Sequence, residues 1–311
     1  MGESVTVMIP MLLLIYLLAG VGSTSFSKAT SKVVSGASRA KYLLFLIVNG
    51  IAACIFFWIS GGFKLDVNLP ILIYSAIYAL IVILILILTM IAYRLVSVSG
   101  VNIIKSGCGL LGTSAIGFIL FSEELSLNSL IRIAVMMLAI VFTFIDARQN
   151  ESGGESRVSE KKNAGVTLRL AVVLALIAIV WCANTITLKY YTLDARVADE
   201  NSLFFYTNVI ISIGCGAVLL FEAILKKGKI HDAKDILKPR AILYIVGNTS
   251  FANVCSLVGI ILLKNMQVSV YTPVTSALGI VSGVMGSLIF REKLGVFSYL
   301  AAAAAIIAVI I

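Results

Sequence analysis

Charge is scarce in this sequence: Asp, Glu, Lys and Arg make up 13% of 311 residues, against about 25% in soluble globular chains. It has one histidine, His231, and four prolines. The five cysteines (Cys54, Cys108, Cys182, Cys215 and Cys255) stand apart within apolar runs, with neither metal-site nor disulfide-framework spacing. Thiols so placed act as small hydrophobes. There is no His/Cys/Asp cluster, no nucleophile–base pair and no phosphate-cradling glycine loop on a strand, so nothing here reads as an enzyme and no cofactor or metal is implied. What abounds is apolar: 60% of residues are hydrophobic, against roughly 45–50% in soluble chains. That composition excludes a disordered chain, a secreted disulfide scaffold and a water-soluble enzyme. Lipid is the expected solvent.

A helix needs about 20 mostly apolar residues to cross ~30 Å of hydrocarbon. Runs of that kind fall near 5–25, 42–60, 70–92, 97–121 and 127–145, then near 166–189, 202–222, 241–263, 267–290 and 295–311. The first run has no basic leader and is followed by many others, so it reads as a span rather than a cleaved signal. Between the two sets lies a polar linker, 146–165, carrying Glu151-Ser152-Gly153-Gly154-Glu155. The organisation expected is a first five-helix repeat over 1–145, the linker, and a second repeat over 166–311. Three correspondences support a duplication. Gly22-Ser23-Thr24-Ser25-Phe26-Ser27-Lys28 answers to Ala183-Asn184-Thr185-Ile186-Thr187-Leu188-Lys189. Phe45 and Asn49 answer to Phe204 and Asn208, and Phe121-Ser122-Glu123-Glu124-Leu125 to Phe290-Arg291-Glu292-Lys293-Leu294.

The formal charge of +9 sits between apolar runs, which points to orientation in a bilayer and not to nucleic acid. Loops after spans 1, 3, 5, 7 and 9, with their adjoining span ends, hold 18 of the 24 basic residues. Loops after spans 2, 4, 6 and 8 hold only Lys64, Lys189, Arg196 and Lys264. Basic loops stay cytoplasmic, so both termini are expected on the opposite side. An odd number of spans per half inverts the second half relative to the first, the arrangement many secondary transporters use.

The sequence resembles the drug/metabolite transporter superfamily in its EamA-like, ten-span, two-repeat branch. The residues that carry the resemblance are Thr272-Pro273-Val274 opening span nine, Gly279, Gly283 and Gly286 along it, and Phe290 to Leu294 closing it, with Phe121 to Leu125 repeating the closing element. The resemblance implies an all-α polytopic membrane protein of two inverted five-helix repeats. It also implies that spans four and nine line a central cavity, and that both termini are cytoplasmic, opposite to the charge count. The sequence departs from the family at Ile104, where the second half has Pro273. It departs again in the last span, where Ala301 to Ala305 stand in the region of the usual glycine.

Ionisable and polar residues inside spans are the functional candidates. Asn102, Lys105, Gly109 and Gly112 share one face of span four. Lys105 reads either as a counter-ion for a substrate anion or as a lysine snorkelling to the interface. Thr275 shares a face of span nine with Thr272 and Gly279. The GxxxG pair Gly279 and Gly283 also reads as a helix-packing motif. Asn49 and Asn208 read as repeat-related substrate contacts or as interhelical hydrogen bonds. Tyr271, Trp181 and Asn184 complete the set, with an interfacial alternative for the aromatics. All 15 acids lie in loops or at span ends. The lack of a deep carboxylate disfavours proton-driven export of cations and favours an anionic, zwitterionic or neutral substrate.

The function expected is a secondary transporter moving a small, amino acid-like metabolite across the cytoplasmic membrane by alternating access. Its partners are that substrate and the bilayer. A monomer suffices, because the duplication supplies the pseudo-symmetry, and a dimer is compatible. The alternatives are a multidrug exporter of hydrophobic compounds, or a non-transporting membrane protein such as a lipid scramblase or an assembly factor.

Overall fold

The computed structural model describes residues 2–34, 39–93, 113, 116–123, 127–152, 163–197, 199–225, 235–289 and 295–311, and no strand occurs among them. The helices are α1 (Gly2–Val34), α2 (Arg39–Ser60), α3 (Leu69–Tyr93), α4 (Leu127–Ser152), α5 (Asn163–Leu193), α6 (Glu200–Leu225), α7 (Pro239–Asn265), α8 (Val268–Ile289) and α9 (Val296–Ile310). Six carry stretches long and apolar enough to cross a bilayer: Met8–Ser27, Ala40–Ser60, Ala175–Leu193, Glu200–Phe221, Pro239–Asn265 and Val268–Gly286. Shorter apolar stretches occupy Leu69–Ile85, Leu127–Phe142 and Val296–Ile310. The chain is an all-helical, multi-pass membrane protein. Nine of the ten expected runs coincide with α1 to α9, and the fourth, 97–121, lies outside the described residues apart from 113 and 116–121.

The helices overrun the apolar runs. α1 continues to Val34, and α4 extends to Ser152 through Asp146-Ala147-Arg148-Gln149, within the stretch read as linker. Alanine, arginine and glutamine are good helix formers, so a nucleated helix propagates past the hydrocarbon boundary.

The chain divides into two compact units that each draw on both sequence halves. Unit 1 is Met1–Leu80 with Tyr191–Ile261, and unit 2 is Ile81–Tyr190 with Leu262–Ile311. Within unit 1, α2 and α6 run antiparallel. Ser60 meets Asn201, Phe57 stacks on Phe204 with centroids 5.1 Å apart, and Gly50 faces Ser212. A Cβ on Gly50 would lie 2.1 Å from Ser212 Oγ and 3.2 Å from the Asn208 carbonyl oxygen, so only glycine lets the two backbones approach this closely. α1 lies antiparallel to α7 through two reciprocal pairs, the Phe251 ring against Gly22 and the Phe26 ring against Gly247. The outward side of α1 presents Met11, Leu14 and Leu18, all exposed at helical spacing, as a lipid-facing stripe does.

In unit 2, α9 packs against α4 and α8. Ser298, Ala301, Ala305 and Ala308 form its buried face, and Ala139 is fully buried on α4. Alanines thus supply the small-residue stripe that the missing glycine would have given, since any small side chain admits close helix contact.

Unit 1 also has well-formed helix ends. α2 stops in a Schellman motif: Phe63 N–H donates to Trp58 O and Gly62 N–H to Ile59 O, both at 3.0 Å. Gly62 takes the left-handed φ of 65°, and the Phe63 ring packs edge-on against Trp58. α3 is capped by Asn68, whose Oδ1 accepts from Ile71 N–H at 2.8 Å. α6 is capped by Asp199, which accepts from Asn201 and Ser202 N–H at 3.1 and 2.9 Å.

Candidate functional site

The α7 segment Asn248-Thr249-Ser250-Phe251-Ala252-Asn253 interrupts an otherwise apolar run. Thr249 and Asn253, four residues apart, share a face. Thr249 Oγ1 lies 2.6 Å from Asn49 Oδ1 on α2 and 2.7 Å from the Ile245 carbonyl one turn back. A hydroxyl has one proton, so both contacts are satisfied together when that proton goes to Ile245 and Asn49 turns its amide NH2 toward Thr249. Asn253 is 8% exposed, and its Nδ2 has no hydrogen-bond partner among the described residues. Ser23 of α1 donates to Asn248 Oδ1 at 3.4 Å. Asn49 lies near the middle of the stretch Ala40–Ser60, and Asn253 near the middle of Pro239–Asn265. Unit 1 therefore holds a row of amides and hydroxyls at mid-span, with one donor unused.

Asn208, expected to act beside Asn49, does not share that row. Its Nδ2 donates to the Phe204 carbonyl on its own helix at 2.8 Å. Its backbone, rather than its side chain, adjoins Gly50. The sequence pairing of the two asparagines captured their matching positions, whereas the partner of Asn49 is Thr249, and Asn253 was not singled out. The signal for Asn253 was its four-residue spacing from Thr249.

In unit 2, two charged side chains meet where α7 gives way to α8. Lys189 is 9% exposed, and its Nζ donates to the carbonyls of Leu263 at 2.9 Å and Met266 at 3.1 Å. Glu123 accepts from the N–H groups of Val268 at 2.6 Å and Ser269 at 2.8 Å. The ammonium thus holds the carbonyl end of one helix and the carboxylate the amide end of the next, the signs each helix dipole favours. Gly117 makes room: a Cβ there would lie 2.7 Å from Glu123 Oε2 and 3.1 Å from Ser269 N. Just inside this junction, Ser269 Oγ and Thr272 Oγ1 are buried without partners among the described residues.

Lys189 was read as a loop cation after span six. That reading is corrected: α5 continues to Leu193, which places Lys189 inside the helix, and its long stem carries the ammonium to carbonyls at and just past the C-terminal end of α7. Thr275 donates to the carbonyls of Tyr271 and Thr272 on its own helix at 2.9 and 3.2 Å. Tyr271, Trp181 and Asn184 are half-buried. A methyl on Gly279 or Gly283 would meet nothing within 4 Å among the described residues, so the GxxxG pair packs against none of them. Lys105 and Asn102 lie outside the described residues. Among the described residues no group of His, Cys, Asp and Glu side chains could hold a metal ion.

Fold and site together define a polytopic helical membrane protein with polar groups inside its spans. No family model matches the sequence, and no curated protein matches it. One solved structure, described only as the crystal structure of a protein, is similar in fold: TM-score 0.64 at 15% identity, covering 96% of this chain and 96% of the other. At that identity the likeness concerns the fold alone, from end to end.

Proposed function

We propose that the protein is a secondary transporter of the EamA-like, drug/metabolite type. In this reading ten spans form two inverted repeats, and a small anionic, zwitterionic or neutral metabolite crosses the cytoplasmic membrane by alternating access. The observation that carries the reading is the mid-span row Asn49, Thr249 and Asn253. Hydrogen-bonding groups in hydrocarbon are costly and are kept where a substrate or another helix needs them. Here one amide nitrogen, Nδ2 of Asn253, has no partner among the described residues. The row draws Asn49 from the first sequence half and Thr249 and Asn253 from the second, as a substrate site made by both repeats requires. The antiparallel pairing of α2 with α6 is the relation an inverted repeat gives its second and seventh spans. An amide offers a donor and an acceptor and no charge, which suits an amino acid-like solute. Lys105 would add the counter-ion for an anionic group.

The test is a thermal-shift screen of the purified chain against carboxylates, phosphates, amino acids, small amides and lipophilic cations, followed by counterflow in proteoliposomes. A ligand at 100 times its Kd stabilises by ~2.7 kcal/mol if it binds only the folded state. Asn253→Leu removes a buried amide whose Nδ2 has no partner among the described residues, so its own stability is expected to hold or rise, while the response to the ligand disappears. Lys105→Met is expected to abolish the response to anions only. Lipophilic cations shifting all three proteins equally would replace this reading with a drug exporter. Scrambling of fluorescent lipid without any solute counterflow would replace it with a scramblase.

A further inference from the structure

Two arms of unit 2 reach the turn between α7 and α8 from different parts of the chain. Lys189, near the C-terminal end of α5, holds the carbonyls of Leu263 and Met266. Glu123, just past the helical residues 116–121, holds the first two N–H groups of α8, those of Val268 and Ser269. The arms brace each other, because Phe121 lies against Tyr190 with ring centroids 5.4 Å apart. Glu123 reaches its place by a sharp reversal of the chain. Ser122 adopts a left-handed φ of 50°, and the Glu123 N–H returns to the Gly117 carbonyl at 3.3 Å. A residue with a Cβ rarely takes that φ, and it keeps it only where surrounding contacts enforce it.

The turn that these arms grip is weakly joined to the helix behind it. Pro273 has no N–H to give to the Ser269 carbonyl, and its ring crowds that carbonyl. A helix bends most readily at such a proline. The Val270 and Tyr271 N–H groups both donate to Gln267 O, at 3.1 and 2.8 Å, so residues 267–271 form a turn closed on itself. Glu123 and Lys189 therefore supply what the interrupted helix does not, bonds that hold this turn in place. While it is held, Ser269 and Thr272 are 0% and 5% exposed.

We propose that Glu123 and Lys189 form a latch on the first turn of α8, and that its release lets this turn pivot at Pro273 and uncover Ser269 and Thr272. A rigid brace would use the same bonds, but it would gain nothing from a helix interrupted one turn beyond the point it holds. The device belongs to unit 2 and makes no use of Asn49, Thr249 or Asn253, so it stands whether or not the protein carries a solute.

The experiment uses the full chain in lipid nanodiscs and a membrane-impermeant maleimide. Thiols are introduced one at a time by Ser269→Cys, Thr272→Cys and Ser282→Cys, the last at a buried position of α8 beyond Pro273. Labelling is read by mass on the peptide that carries each. Glu123→Gln removes the charge and one of the two acceptors, and should speed labelling of the first two thiols about ten-fold. Lys189→Met should speed it too. Pro273→Ala restores the missing N–H and should slow labelling again in the Glu123→Gln background, a gain of order that damage to the fold would not produce. The third thiol should stay slow throughout. The proposal fails if either latch variant leaves labelling of the first two thiols unchanged, if the third speeds up as much, or if Pro273→Ala does not reverse the gain.

Discussion

The two ends of unit 1 are closed by the same helices but treat charge differently. At the end joining α2 to α3 and α5 to α6, acids are engaged in structure. Asp199 caps α6, and Asp194 takes both a fork of bonds from Arg196 at 2.9 and 2.7 Å and the Arg196 N–H at 3.0 Å. Arg196 O in turn accepts from Asn68 at 2.9 Å, and Tyr191 OH donates to Asp199 O at 2.5 Å. At the other end, Lys41, Lys238 and Arg240 surround one acid and an open cavity. The first end is a set of caps with its hydrogen bonds made, and the second is an open cavity lined by charged side chains. Mutation and pH should separate the two.

The largest effect is expected between the ends. Gly50→Leu drives a side chain into Ser212 and the α6 backbone, and overpacking of this kind costs about 3 kcal/mol. Unfolding in SDS-containing micelles would show whether both ends loosen together, as helices sharing one antiparallel seam should. Asp199→Ala comes next. It leaves the N–H groups of Asn201 and Ser202 without their cap, at about 2 kcal/mol, read in the same assay.

Acid should act on the capped end through Asp194, whose carboxyl is held down to about 2, first by its side-chain bonds with Arg196 and then by the Arg196 N–H. A depressed folded pKa gives stability that is full above the unfolded value of about 3.9 and is lost as pH falls through about 2. Thermal unfolding between pH 5 and 2 should therefore fall less steeply in Asp194→Asn than in the wild type. An unchanged slope would mean that the Arg196 fork contributes nothing. The smallest change is expected at the basic end. Asp235→Ala breaks only an exposed ion pair and should leave stability close to that of the wild type. A large loss there would erase the distinction between the ends.

Much of this arrangement was legible beforehand. Long apolar runs located the helices, and the excess of Lys and Arg after spans one and seven anticipated that Lys41, Lys238 and Arg240 would gather at one end. Asn49 was legible because an amide in an apolar run stands out. Its partner was not, since periodicity assigns a face to a residue without naming what that face meets. Asn208 has the same surroundings in sequence, yet it turns to its own helix. Glu123 and Lys189 stood out only as repeated motif and loop charge, because their work depends on α7 and α8, whose ends lie more than 70 residues away along the chain from Lys189.

The sequence alone determined the solvent of this protein, its helical class and the stretches of chain in which its described helices lie. Each follows from local chemistry: apolar length, propensity, and backbone groups that lipid leaves a chain to satisfy by itself. The tertiary structure alone decided which helices form a unit and which polar groups find partners. It placed α2 against α6 and α1 against α7, so a packing unit mixes both halves of the chain. It left the Asn253 Nδ2 without a partner among the described residues while giving Lys189 two carbonyls. Whether a buried polar group is satisfied depends on the atoms a neighbouring helix brings within about 3 Å, and that neighbour is fixed by packing.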